Sequence, residues 1–315
     1  MDKVFFKWTK KLISKKIGLR CDIDFGIGLK QGIPFILSTL KDRKIQATFY
    51  VTMGPDGFAK HANRLRSSNY RARIRRMNPL NMVKKFGFLY LFKQAFGISS
   101  NVGTDYPNRL KNIIRDGHEL GVHGYDHHWW AENVLSAEKK MLELEIQKGI
   151  ESFKSTIGIM PSTWASPNWR CNENVLQILE SFPFSYGADT RGDRPFRPKF
   201  GVSIYRPQIP ISMPCLHEIS DYLDTKNEEK IINEFKSNLK NDYNVWCIHD
   251  YYEGLLQQKL FIKLLDELIK DGWGFVPIMS IANEFSLKKL DTCQVVTKSI
   301  RGGRGHISCI GDLSA

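Results

Sequence analysis

Apolar and polar positions along this chain alternate between two periods. Short apolar runs rich in β-branched residues recur near 17–23, 45–52, 118–123, 162–166, 184–189, 202–206, 244–249 and 273–278. Most are bounded by Gly, Pro, Asn or Asp, the pattern of short buried strands. Between them, apolar residues spaced by three and four mark helices near 30–41, 107–116, 135–156, 172–181, 227–240 and 257–270. Repeated strand–helix units predict an α/β fold with a parallel sheet, either a barrel or a doubly wound sheet. A segment at 57–104 interrupts the alternation, and residues 291–315, with the Gly-rich run Arg301 to Gly305, read as a surface-lying tail. There is no internal repeat and no low-complexity segment.

The 315 residues, 42% hydrophobic, suffice for one large core carrying an insertion. The pattern divides the chain into an N-terminal segment 1–16, a body 17–290 interrupted by the insertion, and the tail. Six cysteines (Cys21, Cys171, Cys215, Cys247, Cys293, Cys309) form no C-x-x-C pair. They read as the reduced, buried thiols of a cytosolic protein.

Charge changes the picture once it is located. The formal net charge is +13, yet residues 1–20 hold seven Lys/Arg against one acid, and residues 57–104 hold ten against none. Those two segments contribute +16, so the remainder is slightly acidic. In the first, Phe5, Trp8 and Leu12 share a helical face apart from the lysines; in the second, an Arg-rich stretch precedes Phe86 to Phe92. Cation plus large apolar surface points to an anionic membrane interface more than to nucleic acid, which needs no such apolar content. Neither segment approaches the ~20 apolar residues of a membrane span, and no secretory h-region follows the N-terminus.

Four sites carry candidate chemistry. At a period of two, Asp22 and Asp24 project to one side of the first strand. His123 and His127 are four apart, His249 ends an apolar run, and Pro167-Asn-Trp169-Arg170 ends another. A lone His-x3-His is most often a pair of ordinary surface or core histidines. With two carboxylates and a strand-end histidine it becomes a divalent-metal candidate of the two-histidine, one-carboxylate type, which leaves positions open for water and substrate.

These motifs, in this order from about Ile17 to Phe285, resemble those of the NodB-type polysaccharide deacetylase superfamily. Leu19 to Asp24, His123 to His128, Asn168 to Arg170, Asp189 to Gly192, Pro195 to Pro198 and Ile248-His249 are most similar to motifs of the 4-deoxy-4-formamido-L-arabinose-phosphoundecaprenol deformylases, with related undecaprenyl-phosphate N-acetylhexosamine deacetylases close behind. The resemblance implies a distorted (β/α) barrel. It implies a divalent metal (Zn, Mn or Co) on Asp24, His123 and His127, Asp22 as general base and His249 as general acid, although the two aspartates are interchangeable at this stage. Glu253 or Asp189 is the expected carboxylate partner of His249, Asp126 and His128 are expected behind the ligands, and Trp169, Arg170, Arg191 and Arg194 are expected to meet substrate.

The implied reaction removes a formyl or acetyl group from an undecaprenyl-phosphate-linked amino sugar at the cytoplasmic face of the bacterial inner membrane. That would supply a free amine for lipid A modification and resistance to cationic peptides. Another N-acetylated envelope glycan as substrate, or a non-catalytic lipid-binding protein, are the competing readings. Two departures stand out: Ala165 occupies the place where the superfamily carries an arginine, leaving Arg170 as its replacement, and Phe25-Gly-Ile-Gly-Leu29 replaces the deformylases' usual turn.

Overall fold

A computed structural model describes residues 15–57, 86, 87, 90–92, 96, 100–224, 227–303 and 305–313. In chain order its strands are β1 (Lys15–Ile23), β2 (Thr48–Val51), β3 (Glu119–Val122), β4 (Arg197–Phe200), β5 (Ser203–Ile204), β6 (Val245–His249), β7 (Trp273–Val276), β8 (Thr292–Ser299) and β9 (His306–Leu313). The helices are α1 (Ile33–Asp42), α2 (Pro107–Arg115), α3 (His127–Asn133), α4 (Lys139–Ile157), α5 (Glu173–Leu179), α6 (Leu216–Ser220), α7 (Glu228–Ser237), α8 (Gln258–Lys270) and α9 (Ile278–Ala282).

β1 is the spine of a parallel sheet, paired with β2 on one side and with β6 and β7 on the other, and β3 lies outside β2. Ile17, Leu19, Cys21 and Ile23 are fully buried, and so is Arg20 on the opposite face. Both faces of β1 are therefore covered, as parallel strands require. Helices pack where their apolar stripes dictate: Ile33, Ile36 and Leu40 of α1, Leu142, Ile146, Ile150 and Phe153 of α4, and Leu260, Leu264 and Leu268 of α8 are buried at helical spacing.

The strands expected at 162–166 and 184–189 are reduced to single parallel bridges, Val122 to Trp164, Trp164 to Gly187 and Gly187 to Gln208. The path returns to β6 through Ser212 N–H and Met213 N–H, both donating to the Val245 carbonyl. Prolines at 161, 167, 183, 207 and 210 remove the donors a longer ladder needs. The result is a distorted, incompletely closed α/β barrel, regular on one side and irregular on the other.

Two further elements differ from expectation. The strand expected at 202–206 becomes the short antiparallel pair β4–β5. The C-terminal stretch, expected to lie as a tail, is the antiparallel hairpin β8–β9, whose first strand pairs with β4 and which buries Cys293, Ile307 and Cys309. Residues 1–14 and most of the insertion, with the amphipathic face and Arg cluster read there, lie outside the described residues. Of the insertion's apolar run, Phe86 is buried and stacks on Tyr90, whose hydroxyl donates to Asp56, whereas Phe92 and Phe96 are exposed and tilt against each other. Phe86 is core, not membrane-facing. All six cysteines are free and buried.

Candidate metal and active site

Parallel register decides which side chains meet. Asp22 sits opposite Tyr50 of β2 and His249 of β6, and His123 N–H, just past β3, donates to Val51 O. The carboxyl ends of adjacent parallel strands thus collect the first aspartate, His123 and His249 in one place, where α/β sheets carry their chemistry. Asp24 follows β1 directly. His127 is brought in by α3, whose N-cap Asp126 accepts from the backbone N–H of His128 and Trp129. Gly124, between the histidines, has φ +75, and a Cβ there would meet Pro167, so the loop needs glycine.

His123 Nε2 lies 3.6 Å and His127 Nε2 3.5 Å from the same oxygen, Asp24 Oδ1. Donor atoms of Asp24, His123 and His127 fall within 4.8 Å of one another, all buried. The other ring nitrogen of His123, Nδ1, is 2.9 Å from the Ala165 carbonyl. A carbonyl only accepts, so Nδ1 carries the proton and Nε2 presents a lone pair. Burial is the main cause that pushes His123 down to about 4, which keeps it neutral at ordinary pH. One carboxylate and two imidazoles, with one tautomer imposed from behind, fit a divalent cation of the zinc class.

Asp22 is held differently. Arg20 Nε and Nη2 grip its two carboxylate oxygens at 2.6 and 2.8 Å, while Arg20 Nη1 donates to Ala188 O at 2.7 Å. Burial raises the Asp22 pKa, but the Arg20 charge, with smaller help from His123, overrides it and leaves it at about 2. Arg20 thus takes the place that sequence reading had given to Arg170, whose Nε donates to His306 O and whose Nη1 donates to Ala131 O. Arg170 ties the C-terminal hairpin to α3 and does not line the cavity. The motif around Arg20 was visible; its role was not, because the period of two puts Arg20 on the face of Asp22 without saying which groups there bond to each other.

The remaining expectations sort as follows. His249 lines the cavity, with a ring nitrogen within 4.8 Å of an Asp22 oxygen. Its expected carboxylate partner does not meet the ring: Glu253 Oε2 accepts from the His249 backbone N–H at 2.7 Å, and burial pushes Glu253 up to about 8, so it is a neutral acid near pH 7. Asp189 is occupied by Ser166 N–H and the Gln208 amide, and burial raises it too. The rings around His249 include His217, edge-on at 4.7 Å, Tyr251 at 5.8 Å and Trp169 at 6.4 Å.

Trp169 is in the cavity wall, and both it and Asn168 adopt positive φ, 49 and 54. Two consecutive non-glycine residues in that region cost of order 1–3 kcal/mol each; they turn the indole over Arg191, 4.8 Å from the ring centre. Arg191 itself is consumed by Glu218 and Met213 O. Arg194, half-exposed beside Asp193, lines a separate open groove of about 770 Å³ with Lys298. His128 approaches Glu132 at 4.0 Å.

The Phe25 to Leu29 departure has a structural cause. A Cβ at Gly28 would collide with the Asp250 carboxyl, and one at Gly32 with the Asp250 carbonyl, so these glycines let residues 25–32 close over the end of β6. Phe25 N–H and Tyr251 N–H both donate to Asp250. Burial, then Asp24, pushes Asp250 well above the usual carboxylate range. Sequence reading also missed His217, Glu218 and the hairpin residues Ile300, Gly303 and Ile307, which complete the wall; nothing in their local sequence marks them.

This fold and this convergence of motifs define the class. The chain belongs to the polysaccharide deacetylase family, which it matches over residues 14–187, and it is a hydrolase of linear carbon–nitrogen amide bonds, a deacetylase or deformylase. Among curated proteins it is similar to a probable 4-deoxy-4-formamido-L-arabinose-phosphoundecaprenol deformylase ArnD from Wigglesworthia glossinidia brevipalpis, 31% identical over 90% of this chain and 98% of that one. It is also similar to the protein of that name from Shewanella sediminis (strain HAW-EB3), 28% identical over 93% and 94%. A solved structure from Mycobacterium smegmatis, described as a "putative polysaccharide deacetylase", shares the fold, with TM-score 0.58 and 17% identity over 94% of this chain and 97% of that one.

Proposed function

We propose that the protein removes a formyl or acetyl group from an amino sugar carried on undecaprenyl phosphate, as its likeness over most of its length to deformylases named for such a substrate suggests. The observation that carries this reading is the convergence of Asp24, His123 and His127 beside an arginine-clamped Asp22 and His249.

Asp24, His123 and His127 would hold a divalent metal, whose chemistry when bound is to polarise a carbonyl and acidify water. Asp22 is the base. The clamp of Arg20 keeps it ionised and aimed, and the same clamp makes it a weak base, suited to taking a proton from water already acidified. Asp24 is the better candidate for ligand, since one of its oxygens faces both imidazoles whereas Asp22 has both oxygens on Arg20. His249, across from Asp22 in register, donates a proton to the departing amine. Trp169 Nε1 is buried in the described residues without a hydrogen-bond partner and offers a donor to a sugar oxygen.

Arg194 and Lys298, in the groove that shares Ile300 with the cavity, are the cations placed to meet the lipid phosphate. The functional unit would then run from β1 through the C-terminal hairpin. No helix among the described residues is long and apolar enough to cross a membrane. The basic N-terminal segment and the insertion, with exposed Phe92 and Phe96, would hold the protein on the anionic cytoplasmic face of the inner membrane. The free amine produced would serve lipid A modification and cationic-peptide resistance. Mass spectrometry of undecaprenyl-phosphate amino sugars after incubation with protein and metal tests this: loss of a formyl or an acetyl mass names the reaction. No mass change with either substrate would reject it.

A further inference from the structure

Next to the Asp24, His123 and His127 set lies a second cluster of a different chemical kind. The Cys215 thiol and ring nitrogens of His217 and His249 lie within 4.8 Å of one another, and so, separately, do an Asp22 oxygen, the Cys247 thiol and a ring nitrogen of His249. The two clusters share His249 and are joined on their sulfur side: the segment 212–213 runs against Val245 of β6, two residues before each cysteine, and each thiol perturbs the ionisation of the other. All of these residues are buried. His217 and His249 line the catalytic cavity, so an ion reaching the cavity meets imidazoles first and sulfur behind them. The Glu218 backbone N–H already donates to the Cys215 sulfur, a contact that favours a thiolate.

We propose that Cys215, His217 and His249, with Cys247 within reach as a fourth donor, form a second site for a thiophilic divalent ion such as zinc, and that filling it inhibits the enzyme. Sulfur and imidazole together select zinc-class ions, whereas the Asp24 set with oxygen and nitrogen alone also accepts harder ones. Burial pushes both thiols up, so each one that binds releases its proton to solvent as the sulfur–metal bond forms. His249 binds through a ring lone pair that would otherwise hold a proton, and the amine leaving group then lacks its donor. The inhibitory half rests on the role proposed for His249; the binding half does not.

Cobalt distinguishes the sites, because only a thiolate ligand gives a near-ultraviolet sulfur-to-cobalt charge-transfer band. Metal-free full-length protein titrated with Co2+ should bind about two ions and develop that band. Cys215→Ser and His217→Gln should each bind about one, with the band lost or strongly weakened, and the second variant serves if the first fails to fold. His123→Ala/His127→Ala should also bind about one but keep the band. A wild-type protein that binds one ion without the band, or a band unaltered in both Cys215→Ser and His217→Gln, overturns the site. Excess Zn2+ should inhibit turnover, excess Mn2+ should not, and Cys215→Ser should be relieved. A filled sulfur site without inhibition would refute the role of His249 as acid and the inhibitory half, while the cobalt band would still support the second ion.

Discussion

Replacing Arg20 with Met should do two separable things. Arg20 and Asp22 are both buried, the guanidinium makes two short bonds to the carboxylate, and a third to Ala188 O anchors the pair across the sheet. Removing one partner of such a buried pair leaves an uncompensated charge and costs about 3–5 kcal/mol. Asp22, whose pKa is about 2 only because Arg20 outweighs its burial, would rise above its usual value and lose its standing as an ionised base, lowering kcat/KM by about 10²-fold or more. Adding Asp22→Asn removes the stranded charge, so the double variant should regain much of the lost stability while being no less active than Asp22→Asn alone. Urea unfolding and steady-state rates on the four proteins make a complete cycle. Metal content should stay at the wild-type level throughout, since Asp24 and the histidines are untouched. An Arg20→Met protein with native stability, or a double variant whose losses simply add, would refute the clamp.

His123→Ala and His127→Ala should each lose most of the metal bound at the Asp24 set, because two remaining donors compete poorly with water; elemental analysis in the presence of Cys215→Ser decides it. Burial raises Glu253 in the folded state to about 8 from its ordinary value of 4.5. The folded state holds that proton while the unfolded state releases it, so this group erodes stability as pH rises from about 4.5 to 8, by roughly 3–5 kcal/mol in all. Glu253→Gln should therefore be stabilised relative to wild type by an amount that grows over that window, measured by urea melts in chelator at several pH values; a constant difference would refute it. Phe92→Ser/Phe96→Ser should weaken binding to anionic vesicles and turnover on a long-chain substrate while sparing a short-chain one, with circular dichroism as the folding control. Wild-type co-sedimentation of the folded variant would assign these rings another role.

The body of the fold was legible because its strands and helices are periodic and locally bounded: β1, β2, β3, β6 and β7 and the helices at 33–42, 107–115, 139–157 and 258–270 fall close to where the pattern places them. The helix at 127–133 was not, since His-His-Trp-Trp carries no clean apolar stripe and forms because Asp126 caps it. Strand-like runs at 162–166 and 184–189 failed to become ladders for the opposite reason, their apolar pattern being sound but their flanking prolines withholding donors. Among site residues, Asp22, Asp24, His123, His127 and His249 announced themselves by spacing and strand position. Arg20 hid inside the same motif, Arg170 and Arg191 looked available but are spent on carbonyls and Glu218, and the contribution of residues 300–307 depends on a hairpin pairing with β4, a contact across about a hundred residues that no local pattern encodes.

That hairpin sets the point in synthesis at which the cavity can first form. One wall comes from Asp22 and Asp24 on β1, and another from Ile300, Gly303 and Ile307, so residue 307 must have left the ribosome before the pocket exists. A chain stalled after β7 could already have assembled the parallel sheet and gathered Asp24, His123 and His127, yet it would present them in an open trough. Substrate selection by shape therefore begins only once the hairpin has been made, and a cavity without its last wall is the species that cellular quality control would encounter if translation stopped before it.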